Sequence, residues 1–397
     1  MESLGIYVSI PFCKAKCSFC NFASGVFAEK RMESYVDRIV AEIREAGQFT
    51  ERLGVTLPRK VDSIYLGGGT PSLLPPALVQ RLFAGLRSEF DVTPNAEITV
   101  ECAPGQLSDQ TLEALQGEGM NRLSFGVQSF VDKECAAVGR LHTGAQARDE
   151  LRRVSSAGVR RVGVDLIAGL PHQTEASWRW TVEQAIATDV EHVSVYMLEV
   201  DEDSRLGRES LAGGKRYGAG ALPMEDRVAD WYAAACLWLE VGGIGQYEIS
   251  NFAREGGQSR HNRKYWERAA YVGFGMDAHS MMRMGAGGVR WANADSMSGY
   301  TERLGAWERT VERVEPRAGF EEALFLGLRL LEGISLDSLQ QEFHSLVEEI
   351  GPPLEELSEA GLVSRAGDRL KLTETGRMVS NEVFERLLLN EINAVTA

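Results

Sequence analysis

In the first half of the chain, short β-branched runs alternate with longer segments whose apolar residues recur at helical spacing. Residues 6–10 read as a strand ended by Pro11, and over 32–47 the side chains of Val36, Ile39, Val40 and Ile43 fall on one helical face. The unit then repeats. Further strands are expected at 63–66, 97–100, 122–125, 161–166 and 192–196. Helices are expected at 77–88, 109–116, 145–157 and 175–187, with Ser108 and Thr174 placed to cap two of them. Six β/α units in succession predict an α/β fold, a partial (β/α)6 barrel of the TIM kind, because parallel strands need helical crossovers of one hand.

The second half breaks this rhythm. Residues 201–223 are acidic, then glycine-rich, and read as a mobile loop; a helix is expected at 224–241, then a polar, aromatic stretch at 245–280. Beyond about residue 299 helices are expected at 320–331, 336–343 and 354–360, a hairpin at 362–364 and 369–373, and a last helix at 381–393. That order predicts a winged-helix-like module. The expected domains are therefore 1–240, 241–299 and 300–397.

Ligands on such sheets sit at the carboxyl ends of the strands, so the residues just past each strand carry the chemistry. Cys13-x3-Cys17-x2-Cys20 follows the first strand and Gly67-Gly68-Gly69-Thr70-Pro71 the second. Glu101 with Pro104, then Gly126-Val127-Gln128-Ser129, then Asp165 with Gly169-Leu170-Pro171 come at the next three. All five should face one mouth. Three thiols at that spacing are one ligand short of tetrahedral zinc unless His142 or His172 joins from afar, and they suit a [4Fe-4S] cluster with one iron left open. Cys102, Cys135 and Cys236 read as core thiols.

Composition narrows the partners. The chain has 397 residues, 44% of them hydrophobic, and a formal charge of −15. Such a surface repels nucleic acid and anionic membranes overall. No stretch approaches 18 consecutive apolar residues, and Met1-Glu2-Ser3-Leu4-Gly5 lacks the basic and apolar regions of a secretory signal. A cytoplasmic protein without a transmembrane segment is expected. Two patterns are read as structural: Gly273-x-Gly275-x2-Ala278 has no βαβ unit around it, and Trp231, Tyr232 and Trp238 lie on helical spacing.

The cysteine triplet followed by Gly-Gly-Gly-Thr-Pro resembles the radical S-adenosylmethionine superfamily. With Tyr7, residues 124–129, Val138-Gly139-Arg140-Leu141-His142, Gly169-Leu170-Pro171, residues 247–253 and His261-Asn262-x2-Tyr265-Trp266, the chain is similar to the oxygen-independent coproporphyrinogen III oxidase group, and within it to the HemW-type heme chaperones. The resemblance implies that Cys13, Cys17 and Cys20 hold the cluster and that S-adenosylmethionine binds its open iron. It further implies that Tyr7 and Phe19 line the adenine side, that Gly68, Gly69 and Thr70 present backbone groups to the methionyl end, that Glu101 and Asp165 bind the ribose, that Arg140 binds the carboxylate and that Gln128 completes the wall.

Family members that decarboxylate coproporphyrinogen carry a longer segment before the cluster and an extra cysteine after it. Here the first cysteine is residue 13 and the sequence continues Cys20-Asn21-Phe22. The implied function is heme binding and transfer to an apo-hemoprotein, with a homodimer conceivable; the alternative is the decarboxylase. For heme, His261 is the candidate axial ligand, with Asn262, Tyr265 and Trp266 around the porphyrin and Arg260, Arg263 and Lys264 near the propionates. His279 and Tyr271 are rival ligands.

Overall fold

Each of the first six strands alternates apolar with polar or small residues: Ile64 and Leu66 with Ser63 and Tyr65, Leu123 and Phe125 with Arg122 and Ser124, Val193 and Val195 with His192 and Ser194. Successive side chains point to opposite faces, so one face of the sheet is apolar and the other polar. In the computed structural model, which describes residues 3–301 and 309–388, the apolar face packs beneath the crossover helices. Val100, Phe125, Val164 and Trp178 belong to this core and are fully buried. Each such side chain contributes about 1.5–3 kcal/mol.

The strands are β1 (Leu4–Ile10), β2 (Lys60–Gly68), β3 (Asp91–Cys102), β4 (Arg122–Gln128), β5 (Arg161–Ala168) and β6 (His192–Met197), hydrogen-bonded in that order and all parallel. Helices Arg31–Arg52, Pro76–Glu89, Asp109–Gly117, Gly144–Ser156 and Glu175–Ala187 connect them. Ser108 and Thr174 cap as expected, Ser108 Oγ accepting from Thr111 N at 3.0 Å and Thr174 Oγ1 from Ser177 N at 3.2 Å. Asp132–Ala137 is a helix the sequence reading passed over.

The sheet runs on past both anticipated domain boundaries. β7 (Gly245–Gln246) and β8 (Asn251–Ala253) extend it antiparallel beyond β6. On the opposite edge β9 (Tyr271–Phe274) lies parallel to β1, followed by the antiparallel β10 (His279–Met284), β11 (Gly287–Asn293) and β12 (Arg309–Val314). Gly275, in the decoy glycine motif, is a turn against β1: its N–H donates to Glu42 at 3.0 Å, and Ser9 O lies 2.5 Å from where a Cβ would stand. Trp231 and Tyr232 are core, as expected.

Residues 201–223 are not only a loop. They hold a helix, Arg205–Leu211, and a 3-10 segment, Arg216–Ala221. From Pro316 the chain builds a separate apolar core around Phe320, Leu339 and Leu370, with helices Pro316–Gly327, Leu336–Phe343 and Gly351–Glu359 beside a three-stranded sheet of Ile334–Ser335, Arg369–Leu372 and Val363–Ala366. The last helix spans Ser380–Leu387, and the end of its expected range lies outside the described residues. Among the described residues no helix is long and apolar enough to cross a membrane.

Candidate functional site

The cysteine loop leaves the carboxyl end of β1 and closes on itself. Cys13 N donates to Gly25 O at 2.9 Å, and Gly25 N to Pro11 O at 2.9 Å. Its far side is tied to the rest of the mouth, with Ser18 N donating to Val138 O at 3.0 Å and Phe19 packed against Val138, Ile167 and Leu170. All three thiols are part-exposed. Burial pushes the Cys13 thiol up, Cys20 and Cys17 add to the shift, and Thr70 and Ser24 partly offset it. Thr70 Oγ1 lies 3.8 Å from Cys13 Sγ, and Arg140 Nη1 lies 3.4 Å from Cys17 Sγ.

A glycine allows the loop and the second strand end to meet. A Cβ on Gly69 would stand 2.7 Å from Ile10 O and 2.9 Å from Phe12 O, closer than any side chain tolerates. Gly69 N donates to Ile10 O at 3.0 Å and Thr70 N to Phe12 O at 2.8 Å, while Gly68 N donates to Glu101 Oε2 at 3.1 Å. These three N–H groups hold the mouth together. The Thr70 carbonyl is engaged as well, accepting from Leu73 N at 3.0 Å.

Glu101 ends β3 with Tyr65 Oη donating to its Oε1 at 2.8 Å. Burial and the neighbouring Asp165 raise its pKa to about 7, against the lowering effect of Tyr65 and Gly68. Asp165 accepts from Ser124 Oγ at 3.3 Å and is itself pushed up by burial, with Ser194, Ser124, Arg140 and Arg122 opposing. Two neighbouring buried acids, both pushed up by burial and one of them also by the other, mark a candidate site. Gly67 leaves the space over Glu101 open: a Cβ there would lie 3.0 Å from Glu101 Oε1 and from the Tyr7 ring. A cavity of about 130 Å³ is lined by Tyr7, Ser9, Phe22, Ala23, Gly68, Glu101 and Asp277.

Arg140 reaches Cys17 and donates to Gly126 O, while its buried Nε has no partner. Gln128 is buried where the β4–β5 register shifts, and holds a left-handed φ of 68° that only glycine adopts freely. The expected mouth residues thus do converge, and an orphaned Arg140 Nε, an open space above Glu101 and three part-exposed thiols fit a cluster with a polar nucleoside ligand. Among the described residues no three His, Cys, Asp or Glu side chains gather around a single ion. A cubane does not require that, because its irons occupy separate corners. Zinc does; His142 is instead buried and lies 3.1 Å from Val127 O, with its pKa lowered by burial to about 4.

The expected heme residues are elsewhere. His261 lies on helix Arg260–Trp266, toward the amino ends of the strands, with Cε1 3.4 Å from where a Gly5 Cβ would be. It is 1% exposed, its Nδ1 is 3.0 Å from Ser63 Oγ and its Nε2 is 2.9 Å from Tyr265 Oη. Burial, with Lys264 beside it, drives its pKa down to about 3. Neutral imidazole has one donor and one acceptor nitrogen, and both are taken. An axial bond from His261 to heme iron would have to displace the Ser63 or the Tyr265 hydroxyl.

Its neighbours are engaged as well. Tyr265 makes edge contacts with Tyr271 and Trp266, Arg329 lies 4.3 Å over the Trp266 ring, and Asn262 N is used by the Ser259 cap. The basic groups are also engaged: Lys264 pairs with Asp62 at 2.9 Å, Arg263 with Glu267 and Glu332, and Arg260 bonds Asp62 O and Asn95 O. His279 is exposed, 3.8 Å from Asp277 at the lip of the small cavity. Sequence reasoning missed Glu97, Arg122 and His192, the polar floor of the same face. The signal was the two-residue polar rhythm inside β3, β4 and β6.

Residues 7–185 match the model of the Radical SAM superfamily, and residues 315–379 that of the HemN C-terminal domain. The heme chaperone HemW of Lactococcus lactis is 31% identical over 98% of this chain and 98% of its own length; that of Bacillus subtilis is 31% identical over 96% and 98%. Radical S-adenosyl methionine domain-containing protein 1, mitochondrial, of Bos taurus is 31% identical over 86% of this chain and 76% of its own length. The solved structure of Escherichia coli coproporphyrinogen III oxidase, HemN, has the same fold, with a TM-score of 0.80 at 22% identity over 98% of this chain and 90% of that one.

Proposed function

Because the chain belongs to the radical SAM superfamily and, within it, to the HemW family, we propose that it is a heme chaperone that binds a [4Fe-4S] cluster, S-adenosylmethionine and heme, and passes heme to apo-hemoproteins. What carries the reading is one coincidence. A chain alike to HemW along its whole length gathers three part-exposed thiols and an unfilled polar wall at one end of one sheet.

In this reading Cys13, Cys17 and Cys20 hold the cluster, which supplies, when bound, an open iron for the amino and carboxylate groups of S-adenosylmethionine. Arg140, whose buried Nε lacks a partner, takes the carboxylate in a charge-assisted contact. Glu101 and Asp165 accept from ribose hydroxyls, Tyr7 and Phe19 flank the adenine, and Gln128 closes the wall. The raised pKa of Glu101 reflects its burial beside Asp165; donors from a ribose would favour its ionised form. For heme, His279 is the exposed imidazole of the two weighed, and a neutral imidazole is a good axial ligand.

We read β1–β6 as a partial (β/α)6 barrel, supported by six consecutive parallel strands, and the unit from Pro316 as winged-helix-like, supported by its helices and three-stranded sheet. The shared fold does not separate chaperone from decarboxylase, but full-length identity to HemW and Cys20-Asn21-Phe22 favour the chaperone. The test is a heme titration of the anaerobically reconstituted protein beside an assay on coproporphyrinogen. A Soret band, weakened in His279→Ala, with transfer to an apo-hemoprotein and no carbon dioxide is expected. Carbon dioxide release without a stable heme band would overturn the reading.

A further inference from the structure

A column of rings rises from the floor of the polar face to the mouth. The His261 ring lies against Tyr65, centroids 5.3 Å apart and planes 28° apart, and Tyr65 lies in turn against Tyr7 at 6.1 Å and 23°. At its upper end the Tyr65 hydroxyl donates to Glu101 at 2.8 Å. The lower end cannot turn. Ser63 and Tyr265 hold the two imidazole nitrogens, and Glu97 Oε1 accepts from His261 N at 3.0 Å.

We propose that His261 is a positioning residue: through Tyr65 it sets the Glu101 carboxylate, and with it the affinity of the mouth for a nucleoside, instead of ligating heme iron. A phenol packed against the Tyr7 and His261 rings has its oxygen held in place, within reach of Glu101 Oε1. Removing the imidazole leaves a void beneath Tyr65, into which the ring can tilt. The donor then leaves the carboxylate, and Glu101 meets the ribose with one support fewer. The inference rests on the reading of Glu101 as a ribose acceptor, and leaves the heme ligand to be found elsewhere.

The test compares S-adenosylmethionine binding to reconstituted wild-type protein, Tyr65→Phe, His261→Ala and His261→Phe by equilibrium dialysis, with iron content and heme spectrum recorded for each. Tyr65→Phe keeps the stack and removes the donor, and is expected to weaken binding about tenfold, the effect of one hydrogen bond to a charged group. His261→Ala should weaken it by a similar factor. His261→Phe restores a ring beneath Tyr65 and should stay within about threefold of wild type, with iron content and Soret band unchanged. Wild-type affinity in Tyr65→Phe, or loss of the Soret band in His261→Phe with nucleoside affinity intact, would overturn the inference. If His261→Ala does not fold, Tyr65→Phe and His261→Phe decide. No binding by the wild-type protein would instead overturn the functional reading on which the inference stands.

Discussion

The two ends of the polar face are built from the same strands and differ in how their polar groups are satisfied. At the floor Glu97 is ringed by Arg122 at 3.5 Å, Arg161 at 3.4 Å, Ser259 Oγ at 3.4 Å and His261 N at 3.0 Å, and His192 meets Tyr247 Oη at 3.0 Å. At the mouth burial pushes up the pKa of both Glu101 and Asp165, Arg140 Nε is orphaned and three thiols stand part-exposed. A buried charge with a full set of partners is architecture. One left short of partners at a strand's carboxyl end awaits a ligand.

The comparison breaks most visibly at the cysteines. Cys17→Ser should abolish cluster binding, read as iron and acid-labile sulfide, while the melting curve of the metal-free protein is unchanged because the thiol is part-exposed. Glu97→Ala should do the reverse. It strands the buried Arg122, whose side chain is 4% exposed, and should cost about 3–5 kcal/mol in denaturant unfolding.

Next in size is a pH effect. The folded pKa of Glu101, about 7, lies above its ordinary value of 4.5, so its protonated form favours folding. That contribution is complete below about pH 4.5 and is lost as pH rises through 7, by at most about 3 kcal/mol. Wild-type stability should fall across this window relative to Glu101→Gln, a difference that denaturant melts at pH 5 and pH 8 would show. The smallest effect is expected at Gln128, where Gln128→Gly relieves the left-handed backbone and should raise stability by about 1 kcal/mol in the same melts.

Much of this was legible in the sequence. The helix Glu175–Ala187 and the strand starts at Arg122, Arg161 and His192 fall where periodicity and capping put them, because local spacing decides those. The convergence of Cys17, Glu101 and Asp165 followed from strand order, whereas Arg140, which follows a helix, came only from the family resemblance. Pairing between distant segments was not legible: nothing local tells Tyr271–Phe274 to lie beside β1. The surroundings of the His-Asn-x2-Tyr-Trp stretch were hidden for a related reason, since residue type says what an imidazole can ligate but not that Ser63, 198 positions away, is bonded to it. The glycines of residues 201–223 predict a loop, yet Ser204 caps a helix there.

The central claim is that the mouth is open chemistry and the floor closed structure. It is tested most directly by the electron paramagnetic resonance spectrum of the reduced, anaerobically reconstituted protein, recorded with and without S-adenosylmethionine. A [4Fe-4S] signal that shifts on adding S-adenosylmethionine in wild type, and no longer shifts in Arg140→Ala, is the predicted result. Protein that retains zinc without iron or sulfide, or a cluster signal indifferent to the nucleoside, would contradict it.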